Sequence, residues 1–321
     1  MLKRYPIRES RLYCLKSKKR LASLLNIELP ALRKLISQRD NYRVFSILQG
    51  NGKPRIIEEP TSELKQVHSR LFKLLSRIEP PPYLHSGTKG RSYLTNAAAH
   101  VGKGKIVKTD ISKFYQSTTY HQVFVGWLRE FKCSGDVAKL IADLCTYEGH
   151  VPTGSSVSMP ITFYAHKQTF DQEQRRAENE GNTFSVYVDD LTLAGDRVSL
   201  RSLCAVTKTF RGVGLKCHKT RLFQKNSPKL VTGVIVTTDG VCLPHRRHLR
   251  IAQGIAALGT TSGRNEREGI SRKLLGQINE AASVEPRYKR RRVGLKRLVG
   301  RLTQGSESPP KGSAFLPEDR R

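Results

Sequence analysis

FSVYVDDLTLAG, residues 184–195, sets two adjacent carboxylates, Asp189 and Asp190, between apolar runs. A bare carboxylate pair repels itself and resists losing its water. Phe184, Val186 and Val188 alternate with Ser185, Tyr187 and Asp189, and Leu191 and Leu193 resume the alternation as far as Gly195. A period of two marks a half-buried strand, and two such strands joined by two residues predict a β-hairpin. Asp189 and Asp190 then fall in the turn. Hairpin turns favour Asn-Gly or Asp-Gly, so an Asp-Asp turn points to a site rather than to folding economy. The alternative is an ordinary solvated acidic turn.

The rest of the chain bounds what that site serves. Its 321 residues suffice for two or three packed subdomains. Lys and Arg number 57 against 27 Asp and Glu, a formal net charge of +30. So large an excess repels itself unless a polyanion neutralises it, and nucleic acid fits better than an anionic membrane surface. No run of 18 apolar residues occurs, so no transmembrane helix is expected. The basic N-terminal stretch lacks a following apolar run and does not read as a signal peptide; a cytoplasmic protein is expected. Cys14, Cys133, Cys145, Cys204, Cys217 and Cys242 are scattered without a C-x-x-C pair and read as free thiols. Cys242, His245 and His248 form C-x2-H-x2-H, which does not match a usual zinc finger.

Hydrophobic periodicity predicts an α+β chain. Residues 1–40 read as a basic helical extension, 42–58 as a β-hairpin with Lys53 and Arg55 near its tip, and 61–78 as a helix. A loop-rich stretch leads to a strand from Ile106 to Asp110, two helices over 119–131 and 135–147, and a helix over about 156–178. Beyond the aspartate hairpin come a helix near 199–212, strands over 215–224 and 230–243, and helices over 244–303. Trp127 and Phe131, at helical spacing, read as core. The tail 304–321 lacks apolar periodicity and is expected to be disordered.

Asp110, in KIVKTDISKFYQS, supplies a third carboxylate at a strand end, where a helix cap is the bland explanation. Three carboxylates can share the cost of proximity by binding magnesium, which takes hard oxygen ligands. Two such ions can clamp the attacking and leaving oxygens of phosphoryl transfer. That requires the strands of Asp110 and of Asp189-Asp190 to be neighbours, which local pattern does not reveal.

These residues carry a family resemblance. Tyr187-Val188-Asp189-Asp190 resembles the YxDD box of reverse transcriptases, preceded by Asp110-Ile111 with Phe114-Tyr115 and by Pro152-Thr153-Gly154-Ser155 in the order of that family. Asn96-Ala97-Ala98-Ala99-His100 and Val231-Thr232-Gly233 resemble the NAxxH and VTG signatures of the retron reverse transcriptases. The likeness covers about residues 40–250, and 251–303 fit by position alone. Thr153, where many relatives have Gln, Ser158-Met159-Pro160 in place of Ser-Pro, and Val188 in place of the more frequent Ala depart from the pattern.

The resemblance implies a right-hand polymerase. Its fingers would take 41–105 and 119–165, its palm 106–118 and 166–243, and its helical, RNA-binding thumb 244–303. It implies RNA-directed DNA synthesis on a cognate structured noncoding RNA, primed from a guanosine 2′-hydroxyl, giving branched RNA–DNA (msDNA). Bacterial anti-phage defence with an effector protein is implied too, with dNTPs as substrates and two Mg²⁺ ions as cofactor. Asp110, Asp189 and Asp190 match the catalytic, metal-binding acids, with the Ile111 carbonyl as a further ligand. Tyr115 matches the gate against a ribose 2′-hydroxyl. Lys53, Arg55, Gly154 and Lys219 match dNTP-binding positions, and Val231, Thr232 and Gly233 the primer grip.

The basic run 286–301 suits phosphate binding with Tyr288 for base stacking. Arg287, Tyr288, Arg290, Arg291 and Arg292 are its candidate RNA contacts. Asn96 and His100 are candidate RNA contacts; set against that, His100 reads as a capping or packing residue and Asn96 as a side chain that bonds backbone. A catalytically silent RNA-binding scaffold, or another class of bacterial reverse transcriptase, remains as the competing expectation.

Overall fold

The structure, a computed structural model, describes residues 4–38, 40–50 and 52–303, with side chains to 297. The tail 304–321, expected to be disordered, lies outside the described residues. The chain divides into two compact units, 1–227 and 228–321.

The first unit opens with helices α1 (Lys18–Leu24) and α2 (Leu29–Ser37), then the hairpin β1 (Tyr42–Leu48) and β2 (Pro54–Pro60), and helix α3 (Ser62–Leu75). The helical extension is part of the main core: Leu21, Leu32 and Leu35 pack in one buried cluster with Leu64, Leu71 and Leu74 of α3. Helix α4 (Tyr93–Ala98) lies in the stretch expected to be loop. Only six residues long, it carries too little periodicity to detect, yet Ser92 and Thr95 close a capping box at its start. Strand β3 (Lys105–Ile111) and helices α5 (Tyr120–Phe131), α6 (Gly135–Cys145) and α7 (Ser158–Asn179) follow as expected. Trp127 and Phe131 are buried and stack at 4.0 Å between ring centroids.

The aspartate hairpin is β4 (Thr183–Tyr187) and β5 (Asp190–Gly195), followed by α8 (Leu200–Gly212) and β6 (Cys217–Phe223). These strands form an antiparallel sheet in the order β4-β5-β3-β6. Its registers pair Tyr187 with Asp190 and Asp110 with Asp190. The turn therefore shifts by one residue from the expected position: its two residues are Val188 and Asp189, and Asp190 begins β5. Val188 takes the left-handed conformation, φ +59°. A β-branched residue rarely does so, at a cost of about 1–3 kcal/mol. A pattern count that keeps Val188 in the strand misses this.

The second unit begins with β7 (Lys229–Val231), β8 (Val234–Val236) and β9 (Val241–Cys242), an antiparallel meander where one long strand was expected. Thr232 and Gly233, with φ of +41° and +87°, make the two-residue turn between Val231 and Val234. Both central residues at positive φ is the hairpin-favoured geometry. Helices α9 (His245–Thr260), α10 (Arg264–Val284) and α11 (Tyr288–Thr303) complete the unit around Leu243, Ile251, Leu258, Leu274, Ile278 and Leu295. Among the described residues no helix is long and apolar enough to cross a membrane.

Candidate active site

The three acids come together through strand pairing. Asp110 at the end of β3 lies directly across from Asp190 at the start of β5, and the Ile111 N–H donates to the Asp189 carbonyl at 2.8 Å. The hairpin tip is held from its outer side as well. Ser86 Oγ accepts from Val188 N–H at 2.9 Å, and Tyr83 O and His85 N–H bond Val186 at 2.8 and 2.9 Å. Those contacts offset the strained turn.

Two lysines partly offset the charge of the cluster. Lys108 Nζ stands 2.9 Å from Asp190 Oδ1 and 3.7 Å from Asp110 Oδ1, and Lys219 Nζ donates to Asp110 Oδ2 at 2.9 Å. Lys219 arrives through a bulge. Lys108 pairs with Arg221 but Asp110 with His218, so Thr109 faces both Lys219 and Thr220. Lys219 takes φ +50° there, and a bulge of this kind re-aims a side chain.

Burial and shared charge split the carboxyls. Burial would lift Asp110, but bonding with Asp190 and Lys219 and the charge of Lys108 hold it below the ordinary range. Asp190 is raised, by burial first and then by its bond with Asp110, against the pull of Lys108. Asp189 is raised chiefly by burial, with the Asp110 charge adding. Like charges in one partly dry site cannot all ionise freely.

The donor set is hard oxygen throughout, which suits magnesium. Asp110 Oδ1 is buried and finds no hydrogen-bond partner among the described residues, as a ligand atom reserved for a cation would. No group of three or more His, Cys, Asp or Glu among the described residues stands ready-made around a cation position. Positive charge already sits at those carboxylates, in the ion pairs of Lys108 with Asp190 and of Lys219 with Asp110.

Tyr115 stands beside this cluster. Its hydroxyl is pushed up to about 12 by burial and then by the Asp189 charge, with Arg55 opposing. The β2 arginine and the hairpin aspartate thus both act on one phenol. Lys53, in the β1–β2 connection, is exposed.

Gly154 has a packing reason: a Cβ there would stand 2.6 Å from Glu58 O and 3.0 Å from Glu59 Cα. The loop before it is stitched to β2 by Glu58, which pattern reasoning passes over. Glu58 Oε2 accepts from Thr153 N–H at 3.0 Å and Oε1 meets His150 Nε2 at 2.9 Å. Thr153 Oγ1 also accepts from Glu58 N–H at 3.2 Å and donates to Ile56 O at 3.1 Å, so its side chain serves the loop.

Asn96 and His100 are buried, 0% and 1% exposed, and so present nothing to an RNA in this conformation. His100 Nε2 meets Ser185 Oγ at 2.6 Å, buttressing β4 two residues before that strand ends at Tyr187. The Asn96 amide, expected to bond backbone, finds no hydrogen-bond partner among the described residues. In the second unit Tyr288 is 3% exposed and stacks on His248, with the Arg287 and Arg291 guanidiniums 5.5 and 5.4 Å from its ring centre. A buried, occupied ring is not available to stack on a base. The Arg290 side chain is exposed and that of Arg292 half-buried. Val231 is buried, and Thr232 and Gly233 form the meander turn.

No protein-family profile matches the chain. It is 31% identical over 259 residues to the retron Mx65 reverse transcriptase of Myxococcus xanthus, spanning 72% of this chain and 60% of that protein. It is 31% identical over 183 residues to the retron Se72 reverse transcriptase of Salmonella heidelberg, 55% of this chain and 48% of that one. With the retron Ec86 reverse transcriptase of Escherichia coli it shares 23% identity over 239 residues, 72% of this chain and 74% of the other. The chain thus spans between about half and three fifths of the first two relatives. A solved foamy viral protease-reverse transcriptase dRH in complex with ds DNA aligns over 92% of this chain and 47% of its own, with TM-score 0.48 and 18% identity.

Proposed function

We propose that this chain, which resembles the retron reverse transcriptases over much of its length, is an RNA-directed DNA polymerase. One observation carries the proposal. Asp110 and Asp190 are direct cross-strand partners, with Asp189 at the adjoining turn. That is an all-oxygen cluster at one end of a sheet, in a chain of net charge +30.

The β4-β5-β3-β6 sheet would serve as palm, the β1–β2 hairpin as part of the fingers and α9–α11 as thumb. Asp110, Asp189, Asp190 and the Ile111 carbonyl would hold divalent magnesium. Bound there, the metal supplies Lewis-acid stabilisation of charge on the attacking and leaving oxygens. The chain's own residues bind and orient. Lys53 and Arg55 grip the triphosphate, Lys219 offers an ammonium to the departing pyrophosphate, and the Tyr115 ring closes the space a ribose 2′-hydroxyl would need. The raised Tyr115 hydroxyl stays neutral at physiological pH, so it acts by shape and not by charge. The template is a cognate structured noncoding RNA, priming is from a guanosine 2′-hydroxyl, and the product is msDNA, working with an effector in anti-phage defence. The named relatives support this finer reading.

The test is Mg²⁺-dependent deoxynucleotide incorporation on an RNA template by the natural chain and by Asp189→Asn. Incorporation only by the natural chain is expected. Equal incorporation by both would sink the assignment of catalysis to Asp189, and none by either would leave a silent RNA-binding scaffold instead. Sequencing the nucleic acid that copurifies with the protein tests the retron reading separately, since branched RNA–DNA of one sequence is expected.

A further inference from the structure

We infer that Lys108 is a resident counter-ion of the carboxylate cluster, one that weakens divalent-cation binding to the site before a nucleotide arrives. The inference rests on the proposed cation role of Asp110, Asp189 and Asp190 and concerns a residue that role does not use.

Lys108 and Asp110 are two apart on β3, so their side chains leave the same face of the sheet. Across β5 their partners are Thr192 and Asp190. The Lys108 ammonium therefore rises among the acids. It is 2.9 Å from Asp190 and 3.7 Å from Asp110, with its side chain only 19% exposed. A lysine so placed is tolerable only with carboxylates to pair it. The neighbouring residues Ile106, Val107 and Thr109 are buried, so it has little other polar surface to turn to.

Lys219 differs. It is 69% exposed and reaches Asp110 from the bulge, so it can swing to solvent or to a phosphate at little cost. Lys108 is the fixed charge. With three carboxylates and two ammonium groups, the cluster's formal charge when fully ionised is −1 (−3 + 2). A divalent cation entering it meets an ammonium already paired with a ligand oxygen, and like charges at such distances repel strongly in a partly dry site. A nucleoside triphosphate brings several negative charges and reverses the balance. Lys108 thus makes loading of the metal conditional on the nucleotide.

The experiment uses the full-length chain and Mn²⁺ alone, titrated by the electron-paramagnetic-resonance signal of the free ion. Lys108→Met is expected to tighten Mn²⁺ binding at least about tenfold over the natural chain, the equivalent of roughly 1.4 kcal/mol. Lys108→Arg, which keeps the charge, is expected to stay close to natural. Lys108→Gln replaces the Met variant if that one fails to fold by circular dichroism. Asp110→Asn is expected to lose the binding. Mn²⁺ affinity unchanged or weaker in the uncharged variant, with Asp110→Asn still losing it, overturns the counter-ion role while leaving the cation site standing. No Asp110-dependent binding in either natural chain or Lys108 variant overturns both.

Discussion

Asp110 and Asp190 are direct partners across the β3–β5 ladder, and Lys108 bridges them on one face of the sheet. Asp189, one residue earlier at the turn, is half-buried and is raised by burial and by the Asp110 charge. A carboxyl whose pKa is raised on folding costs stability at neutral pH. Asp189→Asn is therefore expected to hold or raise stability at neutral pH, seen as an unchanged or higher thermal midpoint. Incorporation should fall about a hundredfold or more, roughly 3 kcal/mol of barrier. Calorimetry and single-nucleotide kinetics on the same preparation check both; a destabilised variant refutes the electrostatic account.

Tyr115 stands where both Asp189 and Arg55 act on its hydroxyl. If its ring limits the sugar, Tyr115→Val is expected to raise ribonucleotide incorporation relative to deoxyribonucleotide by about tenfold or more, roughly 1.4 kcal/mol of discrimination. Discrimination measured as the ratio of kcat/KM for the paired nucleotides checks it. An unchanged ratio removes Tyr115 from that role.

Gly154 abuts the β2 backbone at Glu58, which cannot move aside like a side-chain end. Gly154→Ala is expected to destabilise by about 1–3 kcal/mol, as overpacking does. The urea midpoint should fall with an unchanged slope. Loss of nucleotide binding at full stability would instead favour a direct role in the site.

His68, His100 and His166 are buried and held neutral, burial pushing them to about 4, 3 and 4. Unfolded, each returns to about 6.5. Below that pH the unfolded chain takes up protons that the folded chain refuses, so stability falls as pH drops from about 6.5 towards 4. Each histidine contributes a slope of up to roughly 1.4 kcal/mol per pH unit in that window and none above it. Urea denaturation at pH 7.5, 6 and 5 reads the slope, and a flat profile contradicts it.

Arg290 and Arg292 of α11 are not committed to Tyr288, unlike Arg287 and Arg291. If α11 grips RNA phosphates, replacing both by Glu is expected to weaken binding of the copurifying RNA about tenfold or more at low salt. The slope of log K against log salt should shrink by roughly 1–2. Unchanged affinity and slope would remove α11 from the interface.

Much of the site was legible early because catalytic chemistry writes itself locally. Period-two alternation exposed the aspartate hairpin, and helical spacing exposed α3, α5, α6, α7 and α8. The turn falls one residue from its expected place because Val188 adopts a conformation its side chain disfavours, with support from Ser86, Tyr83 and His85. Lys108 and Glu58 were missed because each looks like an ordinary charged strand residue until its partners, Asp190 and the 150–154 loop, are known. Asn96, His100 and Tyr288 looked available for RNA because burial of a polar or aromatic side chain depends on what covers it.

By itself the sequence determined the aspartate hairpin, most of the longer helices, the excess of positive charge and the order in which the acids occur. Those follow from local period, composition and spacing. Only the tertiary structure decided that β3 inserts between β5 and β6, setting Asp110 against Asp190 and, through the bulge, Lys219 against Asp110. The physical reason is that pairing between distant strands is chosen by the shared core and by register across the whole sheet. A one-residue slip there would turn each acid to the other face, and nothing in the local pattern around any one of them records which slip is taken.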